Sequence, residues 1–319
     1  MASRYSGRME PSIAAPSSYE FADPALEAEY QAAHARFVQP SAGQSSGLWL
    51  LVTLGLFAVA DVAQGRSLQQ LVILVAVLLF HELGHYVAML GLGYRDVRMF
   101  FIPLFGAAVA GRPTRGSQTR EAIVLLLGPL PGIVFGLSTA IAAVMFHSLL
   151  LKTIALYLVG INLLNLLPVV PLDGGRLASV LLFSRAQWSE GLFAGITLAA
   201  GAVAGFALGA PIFGGISAFL LLLLPVRVRM ARVAARLREQ CTVSDPTAVD
   251  EPTARALFSG VHAAMPKASA KINADWMVAV LEMGARRAPS LGRSLAIAAV
   301  WAAAFVVGLF GLGLASYVK

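Results

Sequence analysis

Long apolar runs separated by short polar links leave this chain little choice but to fold in lipid. Seven can be traced, at residues 47–62, 68–92, 121–146, 153–170, 188–208, 212–226 and 294–317. A helix needs about 20 apolar residues to cross a bilayer, so the first and sixth runs are short and the others suffice. Composition agrees: 58% of the 319 residues are hydrophobic and 13% are charged, where a soluble domain carries about 25%. The expected fold class is therefore an all-α polytopic membrane protein with about seven transmembrane helices. A single cysteine, Cys241, excludes an intrachain disulfide. The net charge of +7 fits loop arginines on the cytoplasmic side better than nucleic-acid binding.

Outside the runs the chain divides into distinct parts. Residues 1–46 form a polar arm rich in Ser, Ala and Pro, with three Arg against five acids. It lacks a secretory signal and is expected to be largely disordered, with a short helix near 24–37. Residues 47–226 make an intramembrane core. Residues 227–293 are a cytoplasmic polar segment holding eleven Lys plus Arg. They open on an arginine-bearing amphipathic helix, with two further short helices expected near 253–265 and 271–287. Residues 294–319 hold a last span. The 93–120 loop carries five Arg, and this alternation of loop charge places the N-terminus in the cytoplasm and the C-terminus outside.

The second run contains Phe80-His81-Glu82-Leu83-Gly84-His85-Tyr86. Histidines four apart share one helix face, so both imidazoles can reach one divalent ion. The glutamate beside the first His can take a proton from water that the ion activates. Ionisable groups at membrane depth are costly and mark function; bundle-stabilising hydrogen bonds are the plain alternative. Leu92 lies nine residues beyond Leu83, which puts the site about 13 Å from the helix end at ~1.5 Å per residue. Water must therefore be admitted by the fold.

Zinc needs a third protein ligand and an open position. Asp173 is the only acid between Glu121 and Glu190. It ends the fourth run on the same side as His81 and His85, and Pro168, Pro171, Gly174 and Gly175 around it break the helix. Asn165, eight residues upstream, can donate to the oxyanion of a tetrahedral intermediate, and Asn162 suits an interhelical hydrogen bond. Arg176 can close the cytoplasmic mouth or pair with a carboxylate. His147 and His262 read as surface residues. The third run is interrupted by Gly128-Pro129-Leu130-Pro131-Gly132, which should kink it. The stretch 99–111 is apolar and β-leaning but too short to span. It reads as a re-entrant strand or hairpin beside the site, with an edge that an extended peptide can join; a loop dipping into the interface is the alternative. Gly201, Gly205 and Gly209 recur at the spacing of close helix packing.

Together, His81-Glu-Leu-Gly-His85 within a span and Asn165-x-x-Pro-x-x-Pro-Leu-Asp173-Gly-Gly-Arg176 at the end of a later one resemble the site-2 protease family of intramembrane zinc metalloproteases. The resemblance covers about residues 68–185. It implies one zinc held by His81, His85 and Asp173, with Glu82 as base and acid, Asn165 at the oxyanion, and substrate received near Phe105–Val109. The substrate it implies is a single-span membrane protein or a regulator such as an anti-sigma factor, cut in the lipid bilayer of a bacterial inner membrane. No loop is long enough for an inserted PDZ domain or CBS pair, and residues 227–319 fall outside the resemblance. Two rivals remain: a protease-like binding module that holds a membrane partner uncut, and a metal transporter. The intact Glu82 argues against the first, and the lack of a series of intramembrane carboxylates argues against the second.

Overall fold

A computed structural model describes residues 21–38, 67–102, 106–112, 117–183, 187–240 and 245–317, with Gly55 and Gly65 besides. The expected first span, at 47–62, lies outside the described residues. The described elements run α1 (Pro24–Val38), α2 (Leu68–Gly91), β1 (Arg95–Ile102), β2 (Gly106–Arg112), α3 (Gln118–Leu127), α4 (Pro129–Phe146), α5 (Leu149–Asn165), α6 (Asp173–Ala178), α7 (Gln187–Ala207), α8 (Pro211–Arg236), α9 (Glu251–Ala264), α10 (Ala270–Ala285) and α11 (Leu291–Ser316). Helices dominate, joined by one small sheet. Five spans among the described residues are long and apolar enough to cross a membrane: Leu68–Gly91, Gln118–Phe146, Ser189–Ala207, Phe213–Arg236 and Leu291–Ser316. Helix α5 is apolar but shorter. The chain is thus an integral membrane protein.

Local sequence sets the element ends. Ser67 opens α2 with a reciprocal cap: its Oγ accepts from the Gln70 amide at 3.3 Å, and Gln70 Oε1 accepts from the Ser67 amide at 3.1 Å. Both satisfy donors that a first helical turn leaves unpaired. The expected break in the third run falls at Gly128, where α3 stops and Pro129 begins α4; proline's fixed φ and missing N–H suit that first position. Residues 188–226 form two helices rather than one element. They pack closely at Gly205, where an added Cβ would overlap the backbone of Gly214. Helix α8 then continues without interruption through Pro225 to Arg236. The arginine-bearing helix expected at the start of the polar segment is the last part of α8, since one proline removes a single backbone donor and leaves the helix unbroken.

Within the 99–111 stretch, the described residues 99–102 and 106–111 belong to the antiparallel strands β1 and β2, with Met99 opposite Val109 and Ile102 opposite Gly106. Its strand β2 packs along α2. Beyond the spans, α1 lies against α10 and α9, and the end of α8 completes the same cluster. Tyr30, Phe37, Leu257, Phe258, Met277 and Leu281 are fully buried there. The helix expected near 24–37 therefore exists, and it is docked rather than loose. Its anchor is Arg255, which donates to Glu27 and Glu251 at 2.6–3.0 Å and stacks 4.3 Å over the Tyr30 ring. His262 is half-buried, stacked on Phe258 and 3.4 Å from Glu29; it belongs to this interface rather than to the open surface. Helix α11 packs on α4 and α5, with Ala304 in the core they share with α3 and α6.

Candidate metal centre

Both imidazoles come from α2. His81 and His85 are 3% and 7% exposed, and their rings are 4.8 Å apart, edge to face. Asp173 comes from the far end of another hairpin. Helix α5 ends at Asn165, the chain turns through Pro168 and Pro171, and α6 restarts with Asp173 as its first residue. The carbonyl of Leu166, left unpaired where α5 ends, accepts a 2.9 Å hydrogen bond from the Trp301 indole of α11. The last span thus braces the turn that carries the carboxylate.

The three side chains meet at one point. Asp173 Oδ2 is 3.1 Å from His81 Nε2 and 3.0 Å from His85 Nε2, and the two nitrogens are 3.1 Å apart. Donors bound to one tetrahedral zinc at ~2.0–2.2 Å sit about 3.3 Å from each other, so the triangle is the size of one face of such a shell. The donor chemistry fits as well. His85 Nδ1 is 2.9 Å from the Val124 carbonyl oxygen. A carbonyl can only accept, so Nδ1 carries a proton and Nε2 is the nitrogen that can offer a lone pair to a metal ion at the centre. Among the described residues, these three are the group able to hold a metal ion.

Close packing of α2 against α4 and α5 depends on missing side chains. At Gly128 an added Cβ would overlap the His85 ring, and at Gly132 it would overlap the Asn162 amide. The Gly128–Gly132 interruption is therefore where His85 and Asn162 find room, beyond the kink that its prolines imply.

The triad opens on a cavity of about 500 Å³. Glu82, Asn165 and residues 108–111 of β2 line it near the triad. The Val109 backbone amide lies against the Glu82 carboxylate, which brings the hairpin to the prospective base. Phe105, expected at the start of the substrate-facing stretch, lies outside the described residues; β2 extends instead from Gly106 to Arg112. Tyr94 also lines the cavity, and burial pushes its phenol up to about 12. It therefore stays a neutral hydrogen-bond donor at ordinary pH.

The mouth is charged. Glu121 Oε1 and Oε2 lie 3.4 Å from Arg176 and 3.7 Å from Arg286, and the Glu121 charge holds the Arg286 guanidinium above its ordinary pKa. Arg176 thus pairs with a carboxylate. Arg286 and Glu282 come from the polar segment after α8 and line the same cavity. Sequence reading missed both, because only the fold brings residues 282–287 against Ser117 and Glu121.

The two asparagines have different partners. Asn165 reaches the cavity, and one of its amide protons goes to the Ile161 carbonyl at 3.1 Å, which leaves its second proton for a ligand. Asn162 is fully buried, with Oδ1 2.8 Å from His81 Nδ1. It does bridge two helices, as the sequence suggested, but its partner is a member of the triad. The available signal was the general one that an amide inside a span must find a partner.

No family model matches the chain. Over 140 residues it is 30% identical to Stage IV sporulation protein FB of Bacillus subtilis (strain 168). The match covers 43% of this chain and 46% of that protein, so it spans a little under half of the curated relative's length.

Proposed function

We propose that this chain is an intramembrane zinc metalloendopeptidase of the site-2 protease type, cutting membrane proteins in or near their transmembrane segments. The observation that carries the reading is the meeting of His81, His85 and Asp173 within 3.1 Å of one another at the wall of a cavity that Glu82 also lines. The partial match to a curated relative supports the family.

His81, His85 and Asp173 would hold the zinc. Bound there, it supplies Lewis acidity and brings the pKa of an adjacent water toward ~7. Glu82 takes the proton from the attacking water and returns it to the leaving amine. The free proton of the Asn165 amide is positioned to donate to the developing oxyanion. Among the described residues β2 pairs with β1 alone, so its other edge can align an extended peptide by strand addition. A substrate helix must unwind to present that extended backbone.

The substrate class that fits is a single-span membrane protein or a membrane-bound regulator such as an anti-sigma factor, in a bacterial inner membrane. With six crossings between α1 and α9, as seven spans imply, both lie on one side of the bilayer. Their packing against each other supports this, and loop charge would make that side the cytoplasm. The test is a comparison of membranes holding wild-type and Glu82→Gln protein. We expect membrane-protein fragments present with the wild type to vanish with the variant, a loss of at least about 10²-fold in cleavage. Cleavage of a co-expressed substrate at the wild-type rate by Glu82→Gln would remove the mechanism.

A further inference from the structure

We infer that Asn162 is the positioning residue that sets the tautomer of His81 and thereby the metal affinity of the site. The inference rests on the zinc-site reading above. It starts from hydrogen-bond accounting inside a dry helix interface. Asn162 Nδ2 is 2.7 Å from the Leu158 carbonyl oxygen. A carbonyl cannot donate, so the amide nitrogen must point to Leu158, and Oδ1 must point to His81. Oδ1 can only accept, at 2.8 Å from His81 Nδ1. His81 Nδ1 therefore carries a proton, and Nε2 is the ring nitrogen left to face Asp173 and His85 and to bind a metal ion.

Each step is forced by the one before, and burial closes the alternatives. Asn162 is 0% and His81 3% exposed, so water cannot substitute as the acceptor. The amide cannot swing aside, because Gly132 brings α4 flush against it and leaves no space for even a methyl group. The other imidazole reaches the same state through the Val124 backbone carbonyl. The site thus holds one ligand with a chain-encoded orienter that mutation can remove and one without.

There is a second consequence. Asn162 and Asp173 are carried by α5 and its continuation, and both histidines by α2. Sliding α5 along α2 would withdraw the carboxylate and release the His81 tautomer together, so the centre assembles or fails as one unit.

The test uses full-length protein in detergent, stripped of zinc and retitrated with zinc ion against a competing chelator. Asn162→Leu keeps the approximate side-chain volume and removes the acceptor; its zinc affinity should fall about 10- to 100-fold. Asn162→Asp keeps an acceptor toward Nδ1 but loses the donor to Leu158, so its zinc affinity should fall less than that of Asn162→Leu. Ring-nitrogen NMR on histidine-labelled, zinc-free protein should find His81 protonated at Nδ1 in the wild type, with that signature lost in Asn162→Leu. Zinc affinity within about twofold of wild type in a folded Asn162→Leu protein overturns the inference. So does wild-type His81 without a proton at Nδ1, a readout that stands even if the Leu variant fails to fold. The protease reading fails separately, through cleavage that survives Glu82→Gln, and neither failure entails the other.

Discussion

Around Phe258, the large apolar side chains of α1, α9 and α10 turn inward, and Tyr30, Phe37, Phe258 and Met277 are all fully buried. Along α4, Phe135, Met145 and Phe146 turn outward and are 59–71% exposed. The first arrangement is that of a protein in water, where burying apolar surface is the driving force. The second makes sense only where the surroundings are apolar, so that association must come from close packing and a few polar contacts. The polar groups divide in the same way. The α1–α9 interface uses an ion-pair fork at its partly exposed edge. In the membrane core, His81, His85 and Asn162 are buried together at the triad. The lesson is that the two regions should respond to different kinds of damage.

The largest separation is expected from Phe258→Ala. Removing a fully buried ring should cost the helical assembly about 3–5 kcal/mol, read as a drop in its melting transition or as faster hydrogen exchange over residues 251–285. Zinc content should be unchanged. Parallel loss of both would mean that the regions form one cooperative unit. Gly132→Ala should do the reverse. Its added methyl meets the Asn162 amide, an overpacking cost of about 1–3 kcal/mol. It should appear as weakened zinc binding, with the exchange protection of α9 and α10 intact.

The smallest effect is pH-dependent and confined to the α1–α9 interface. The hydrogen bonds from Arg255, with help from Gln31, hold the Glu27 carboxyl down at about 2 from an ordinary 4.5. A depressed carboxyl pKa stabilises the fold above the unfolded-state value and loses that contribution as pH falls through the folded one. The assembly should therefore hold its stability down to pH ~4.5 and lose the Glu27 contribution progressively toward pH ~2. Thermal melts across that range should show less dependence in Glu27→Gln.

How far the sequence could be read follows from where each constraint lies. His81, His85 and Asp173 were legible because their chemistry needs those residue types at those spacings, and helix periodicity and breakers suffice to place them. The helices near 253–265 and 271–287 were legible for a similar local reason, and their ends fall within two residues of those of α9 and α10. The docking of α1 was hidden by its polar setting. Tyr30, Ala33 and Phe37 are spaced as one helix face, but three residues in a charged arm name no partner. The Trp301 bond to Leu166, the contribution of Arg286 to the mouth and the room that Gly128 leaves for His85 all depend on contacts across more than 40 residues of chain. No local pattern encodes those. Asn165 and Asn162 differ by a single helical turn, and which one meets a histidine is decided by the rotation of α5 against α2.

One feature of the centre also bears on how such a protein is made. Ninety-two residues separate His81 from Asp173, and synthesis runs from the N-terminus. While a growing chain has delivered α2 and α3 to the bilayer, it holds two of its three ligands and lacks the helix that carries Asn162. The three side chains can meet only after the ribosome has passed residue 173 and that later helix has found its place. On the proposed reading, a growing chain would stay inert toward neighbouring membrane proteins until most of the molecule has been threaded into the lipid.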